Sequence, residues 1–396
     1  MQYRFPRTYG QEEAKQRLIQ ALSQNRFPHA LLLYGEKGWR QHALLLDLAQ
    51  ILICRSEEIR PCGKCSHCRL FLHQGLETIQ YLIPLEKKEK ETERDSDEPS
   101  GLSDALIEEL SEGMGRWHGN PSAFEVSEKA IVRVVQVRDL LERLAYAVTG
   151  NVARIVLVPF LESLNIQSAN AMLKTLEEPN ANVYFLLGSE NRSTLLPTVL
   201  SRCFLLGLTP LPQNKMLEFF QNQKGEGDED LSLLLPLAEG SPGVLLAFRS
   251  TGQALLDEAT LFLTAAIGSD WRSFLDYVSE STSMGLDDSS QLLLFLLRCA
   301  RLQNTLRMTH PGSPKGRQDG FHWTAEALKA NGWNPALAGH IGPLEEVSQL
   351  TDFVFFLEES FKAIQANCKP QTALLGLFLE YAAKAQARIN AMENVA

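Results

Sequence analysis

The chain has 396 residues, 44% of them hydrophobic and 22% charged, a composition that rules out global disorder. At roughly 150 residues per domain it divides into two or three domains. Its 38 basic and 48 acidic residues leave a net charge of −10, which argues against a chain that grips nucleic acid alone, because phosphate binding needs a basic field.

Residues 12–25 carry apolar positions at Ala14, Leu18, Ile19 and Leu22, the spacing of a helix. Ala30-Leu31-Leu32-Leu33-Tyr34 is apolar without alternation, as in a strand buried on both faces of a parallel sheet. Gly35 and Gly38 follow, and a helix is predicted from about Ala43 to Ile53. A short strand is predicted at Ile79–Ile83. From Glu86 to Glu98, 11 of 13 residues are charged. This run and the stretch to about Ser122 read as a solvated, disordered insertion, with Ser103–Glu112 as a candidate helical arm.

Order resumes with a predicted helix at Val134–Ala147, a strand at Arg154–Val158, a helix from about Gln167 to Leu176 and a strand at Val183–Leu187. Strands alternating with helices predict a mostly parallel sheet covered on both faces. Beyond the joint Thr209-Pro210-Leu211-Pro212 the pattern is helical. Short segments run to Phe248, and longer amphipathic ones cover Ser290–Met308, Leu344–Ala366 and Ala373–Met392. His310–Gly320 reads as a loop. The domains expected are an α/β domain over 1–208 with a charged insertion at 85–122, a small helical domain over 209–252 and a larger helical domain over 253–396.

The apolar run Leu292–Leu297 stops at Arg298, well short of the roughly 20 residues that cross a bilayer. It reads as helix core or subunit contact. The opening Met-Gln-Tyr-Arg-Phe-Pro-Arg lacks the apolar segment of a signal peptide. A cytoplasmic, reducing location is expected, and there a cysteine cluster points to metal rather than disulfides. Cys54, Cys62, Cys65 and Cys68 have the spacing C-x7-C-x2-C-x2-C. Four thiolates satisfy tetrahedral Zn²⁺ and leave no open position, so the expected role is structural. His67 and His73 are alternative ligands. An iron–sulfur cluster is the weaker alternative, since the C-x3-C-P continuation of the ferredoxin run is missing. Cys203, Cys299 and Cys368 read as packing residues. Lys64, Arg69 and Lys174 form no basic patch, and base-stacking aromatics are not interleaved with them.

The strand–turn–helix unit at Gly35 invites comparison with a phosphate loop, G-x-x-x-x-G-K-[ST]. The frame here is Gly35-Glu36-Lys37-Gly38-Trp39-Arg40-Gln41-His42. Arg40 stands at the second glycine, Gln41 at the lysine and His42 at the Mg²⁺-binding hydroxyl. Lys37 lies four residues early and is a poor substitute, because placement at the helix N-terminus is part of the mechanism. The strand Ile155–Val158 ends in Pro159-Phe160, where a nucleotide hydrolase needs Asp-Glu. Glu162 reads as a solvated residue at a helix start. Two independent losses predict no productive ATP binding and no ATP hydrolysis.

The blocks around these positions carry a resemblance. They are Gly10-Gln11-Glu12, Asn25-Arg26-Phe27-Pro28-His29-Ala30, Asn170-Ala171-Met172-Leu173-Lys174-Thr175-Leu176-Glu177-Glu178-Pro179 and Leu196-Pro197-Thr198-Val199-Leu200-Ser201-Arg202-Cys203. Together they resemble the bacterial clamp-loader branch of the AAA+ family, over about residues 4–84 and 134–250. The charged insertion departs from that family's pattern. The resemblance implies an α/β AAA+ domain with a parallel sheet, a helical lid and an all-α collar. With the ATPase residues missing, it implies a non-hydrolysing stator in a five-membered ring. That ring opens the sliding clamp and loads it on primed DNA, with gamma/tau and delta subunits as partners. It implies that Arg202 reaches in trans into a neighbour's ATP site, and it strengthens zinc at the cysteine cluster. On the residues alone, Arg202 caps the Thr198–Leu200 helix or pairs with a local carboxylate. Ser189 falls at the γ-phosphate-sensing position, and Gly243 where a second sensing arginine would stand. The rival readings are an active gamma/tau-like ATPase and a stand-alone zinc-dependent nucleic-acid-binding protein.

Overall fold

A computed structural model describes residues 1–73, 78–86, 102–121, 124, 126–127, 130–145, 153–180, 182–223, 231–268, 286–309, 320–331 and 335–341, with isolated positions 355, 357–360, 362–363, 373 and 376. Two compact units emerge. The first takes in residues 1–219 and 240–246, the second residues 220–239 and 247–396.

The first unit is built on a five-stranded sheet in the order β4-β5-β6-β2-β7. Its strands are β2 (Ala30–Tyr34), β4 (Ile79–Tyr81), β5 (Arg154–Val158), β6 (Val183–Ser189) and β7 (Phe204–Gly207). All pairs are parallel, with Leu32 opposite Leu187 and Val156 opposite Phe185. The unalternating apolar runs have a direct cause. Leu31 and Leu33 of β2 join one core with Ile155, Leu157 and Leu186, while Ala30 and Leu32 join the other with Val156, Val158, Phe185 and Leu187. The buried residues of β2, β5 and β6 alternate between two covered faces, so both parities are apolar. A separate pair, β1 (Gln2–Tyr3) with β3 (Ile59–Arg60), and the edge strand β7 escape sequence reading because two to four residues carry no period.

Helix α1 (Glu12–Ser23) and helix α2 (Gln41–Ile53) cover one face, with Ala14, Leu18, Leu44, Leu45, Leu48 and Ile53 in its core. Helices α5 (Val134–Ala145) and α6 (Ile166–Glu177) cover the other through Val137, Leu140, Leu144, Met172 and Leu176. The carboxylate of Asp47 on α2 is fully buried. It accepts from the backbone N–H groups of Arg7 and Thr8, the Thr8 hydroxyl at 2.7 Å and the Arg7 guanidinium at 3.1 Å. Such a buried charge is tolerated because its acceptor sites are filled by donors.

The insertion corrects the sequence reading. In place of a disordered loop, Asp104–Gly119 form helix α4, which takes in most of the candidate arm Ser103–Glu112 and extends beyond it. The Ser103 side chain accepts from the Leu106 N–H as its N-cap. Leu106, Leu110, Gly113 and Trp117 make the buried stripe, at helical spacing. Trp117 is completely buried in the same core as α2. Of the charged run 86–98, all but Glu86 lies outside the described residues.

After β7 the described residues contain no strand. Helix α8 (Gln213–Gln223) is followed, at Pro242–Gly268, by one uninterrupted helix that continues past residue 252. In the second unit the helix Leu286–Thr309 places Leu292, Leu293, Phe295, Leu296 and Cys299 in the interior, so the apolar run is helix core. Arg298 donates to the Leu237 carbonyl at 3.0 Å and pairs with Glu239. The predicted helices at 344–366 and 373–392 and the loop at 310–320 fall largely outside the described residues, as does Cys368. Among the described residues no helix is long and apolar enough to cross a membrane.

Candidate functional site

The C-terminal ends of β2, β5 and β6 converge where an open α/β sheet binds its ligand. The loop after β2 keeps the backbone of a phosphate loop. Gly38 has φ +78°, and a Cβ there would lie 2.5 Å from Ser241 Oγ and 2.9 Å from the Val244 nitrogen. Arg40 holds φ 72°, the left-handed conformation that suits glycine, as the N-cap of α2. Its guanidinium turns inward, donates to the Arg7 carbonyl at 2.9 Å and lies 4.7 Å over the Phe219 ring. Burial draws its pKa down to about 10, against the pull of Asp47. The shape of the loop is retained while its side chains abandon phosphate chemistry.

The space above the loop is filled from three sides. Residues 241–244, from the turn before Pro242 into the helix, close over it: Ser241 Oγ donates to the Lys37 carbonyl at 2.9 Å and the Gly243 N–H to the Gly38 carbonyl at 3.1 Å. Gly243 thus meets the loop through its backbone, with no side chain. From the sheet side, the Phe160 ring lies 4.4 Å from His42. From the segment just after the insertion, Phe124 stands edge-on to His42 at 6.1 Å and stacks at 5.6 Å on Trp117, whose indole N–H donates to the His42 carbonyl at 3.2 Å. What remains is a cavity of ≈ 10 Å³ bordered by Lys37, Gly38, Arg40, His42, Phe124 and Glu190. That is about the room for one water, far below a triphosphate.

A carboxylate stands at the N-terminus of α2. Glu190, just after β6, places Oε1 3.4 Å from Gln41 Nε2 and from His42 Nε2. Its own N–H donates to the Glu162 carboxylate at 2.8 Å. Burial pushes the Glu162 carboxyl up, opposed by the Glu190 N–H. Glu162 does stand at a helix start, in the short 3-10 helix Leu161–Ser163, but its carboxylate is half-buried and hydrogen-bonded rather than solvated. It sits beside Pro159-Phe160 and orders the segment carrying Glu190. Ser189 is fully buried, and its Oγ accepts from the Asn191 N–H at 3.2 Å. Sequence reasoning misses Trp117, Phe124 and Glu190, which come from separate segments with no shared motif. The helical spacing of Leu106, Leu110, Gly113 and Trp117 points to Trp117; no such signal points to Phe124 or Glu190.

At the opposite end of α6, Arg202 follows the short helix α7 (Pro197–Leu200). Its Nη1 donates to the Thr198 carbonyl at 2.6 Å, and its Nη2 meets Oε1 of Glu177, the last residue of α6. Both local roles open to Arg202 on the residues alone, capping and carboxylate pairing, are realised in the chain. His29 Nε2 lies 2.9 Å from the Leu176 carbonyl, so the blocks at 25–30, 170–179 and 196–203 meet at one place. Cys203 is partly buried beside them, and burial pushes its thiol up to about 11.

The four cysteines converge. Cys54 ends α2, Cys62 and Cys65 lie in the turn that follows, and Cys68 is on helix α3 (Ser66–Leu72). Their sulfurs all lie within 4.8 Å of one another, with Cys62 and Cys68 4.0 Å apart. Tetrahedral Zn–S bonds of about 2.3 Å demand sulfur separations near 3.8 Å, so the set fits. The N–H groups of Cys62, Cys65 and Cys68 each point at a cysteine sulfur at 3.4 Å. The Cys65 N–H draws the Cys62 thiol down to about 6, while burial pushes Cys68 up to about 12. A cation that converts all four to thiolates removes this mismatch. His67 and His73 are not in the cluster.

The model of the family described as DNA polymerase III, delta subunit, matches residues 10–212. The DNA polymerase III subunit delta' of Haemophilus influenzae is 26% identical over 235 residues, covering 59% of this chain and 58% of that protein. The subunit delta' of Pseudomonas aeruginosa is 31% identical over 233 residues, covering 58% of each. The DNA polymerase III subunit tau of Salmonella typhimurium is 26% identical over 328 residues, covering 76% of this chain and 44% of that protein. The matched region thus spans less than two thirds of the length of these relatives. It contains the degenerate loop, the cysteine cluster and Arg202, and on the family match this chain belongs to the DNA polymerase III delta subunit family.

Proposed function

We propose that this chain is the non-hydrolysing, delta prime-like stator of a DNA polymerase III clamp loader. In this reading it has a AAA+ domain, a helical lid and an α-helical collar. It assembles with gamma/tau and delta subunits and, through them, acts on the sliding clamp and primed DNA. Arg202 enters the ATP site of the neighbouring subunit. A guanidinium supplied in trans neutralises charge on the transferring phosphoryl group and makes the neighbour's turnover depend on the ring being closed. The Cys54, Cys62, Cys65 and Cys68 set holds Zn²⁺ as a rigid staple beside α2.

The observation that carries the reading is the filled loop. Glu190, His42, Phe124 and residues 241–244 leave ≈ 10 Å³ where a motor subunit needs room for a nucleotide. The similarity to subunit tau favours the motor reading, and nucleotide binding separates the two. Titration of ATP into the purified chain should give no saturable binding, while the chain co-elutes with its organism's gamma/tau and delta subunits. Stoichiometric ATP binding, lost in Lys37→Ala, would establish the motor instead.

A further inference from the structure

Arg202 does not stand ready in this chain. Its guanidinium has five N–H donors. Nη1 gives its two to the Thr198 carbonyl at 2.6 Å and Ser201 Oγ at 3.3 Å. Nη2 gives one to Glu177. Nε is buried and finds no acceptor among the described residues. One N–H is left, whereas gripping a phosphoryl group bidentately takes two on one open edge. The carboxylate also cancels the charge that a trans-acting arginine must deliver.

The position of the carboxylate is itself informative. Glu177 is the last residue of α6, where exposed carbonyls make the helix end negative. An acid there disfavours the helix, so it serves something other than helix stability. The Glu177 side chain is 49% exposed and that of Arg202 26%, so the pair exchanges readily with a stronger anion. A nucleotide's terminal phosphates carry more charge than a carboxylate and present the same acceptor oxygens.

We propose that Glu177 is a positioning residue for Arg202: it holds the guanidinium folded against its own chain, and the phosphates of a neighbouring subunit's nucleotide displace it. This rests on the trans role proposed for Arg202. The turnover of a ring without clamp and DNA is then held down by the pair, and closure of the subunit interface releases it.

The test uses the ring reconstituted from this chain with gamma/tau and delta subunits, assembly being checked by size-exclusion chromatography. ATP turnover is measured with and without clamp and primed DNA for wild type, Glu177→Gln, Glu177→Asp, Arg202→Ala and the double variant Glu177→Gln/Arg202→Ala. Glu177→Gln should raise the turnover without clamp and DNA about two- to fivefold, the range an exposed ion pair can hold back. Glu177→Asp, which restores the charge, should bring it back toward the wild-type rate. The double variant should match Arg202→Ala. A Glu177→Gln ring at or below the wild-type rate, with Arg202→Ala impaired, overturns the role of Glu177 alone. An Arg202→Ala ring as active as wild type contradicts the trans role itself and takes this inference with it.

Discussion

The indole N–H of Trp117 donates to the carbonyl of His42 at 3.2 Å, across 75 residues of sequence. It ties the helix inside the insertion to the first turn of the helix that follows the degenerate loop. Helix α4 is thereby part of the core. Trp117, Phe124 and Phe160 occupy the ground beside His42, so this domain is completed by its own aromatic side chains.

Trp117→Ala should therefore destabilise the first unit by about 3–5 kcal/mol, the cost of emptying a fully buried aromatic site. Arg116→Ala, on the exposed side of the same helix, should stay within about 0.5 kcal/mol of wild type. Urea unfolding of the two variants, read at equal protein concentration, checks the contrast. Equal midpoints would mean that α4 is a surface ornament.

Much of the sheet was legible because burial on both faces leaves unbroken apolar runs, as at Ala30–Tyr34 and Arg154–Val158. Helix α4 was legible only in its first part, as the candidate arm Ser103–Glu112, because the charged run at 86–98 dominates the composition of the whole stretch. The loss of phosphate chemistry at Arg40, Gln41, His42, Pro159 and Phe160 was readable residue by residue. What replaced it was not. Glu190 and Glu162 sit at the ends of different strands, and only the parallel packing of β5 against β6 brings them together. Pairing of Arg202 with a carboxylate was foreseen, but not which one, since Glu177 lies 25 residues away in a separate block.

His118, next to Trp117, lies 2.8 Å from the Tyr81 hydroxyl and 5.0 Å from the Phe71 ring. Burial, with a contribution from the positive charge of Arg7, lowers its pKa to about 4 from an ordinary 6.5. The unfolded chain then binds the proton more readily than the folded one. The stability that follows from a neutral His118 is complete above pH 6.5 and is lost as pH falls toward 4, to at most ~3 kcal/mol. His118→Phe should flatten this part of the stability–pH curve relative to wild type. Parallel curves between pH 6.5 and 4 would show that the ring is open to solvent.

The purified chain should carry one zinc per molecule, lost on treatment with a strong chelator or in a Cys62→Ser/Cys65→Ser double variant. Both should lower the thermal midpoint and expose residues 54–73 to proteolysis, because the site exists only in the folded chain and metal binding is coupled to folding. A metal-free preparation with the wild-type midpoint and the same protease resistance would contradict the structural role.

The central claim is that a chain with a filled nucleotide site still governs ATP turnover through Arg202. The direct measurement is clamp- and DNA-stimulated ATP turnover of the reconstituted ring, wild type against Arg202→Ala. The account predicts a fall of at least about tenfold in a ring that still assembles, as expected when an arginine supplied in trans is removed. Unchanged turnover in an intact ring would leave this chain a passive scaffold and contradict the account.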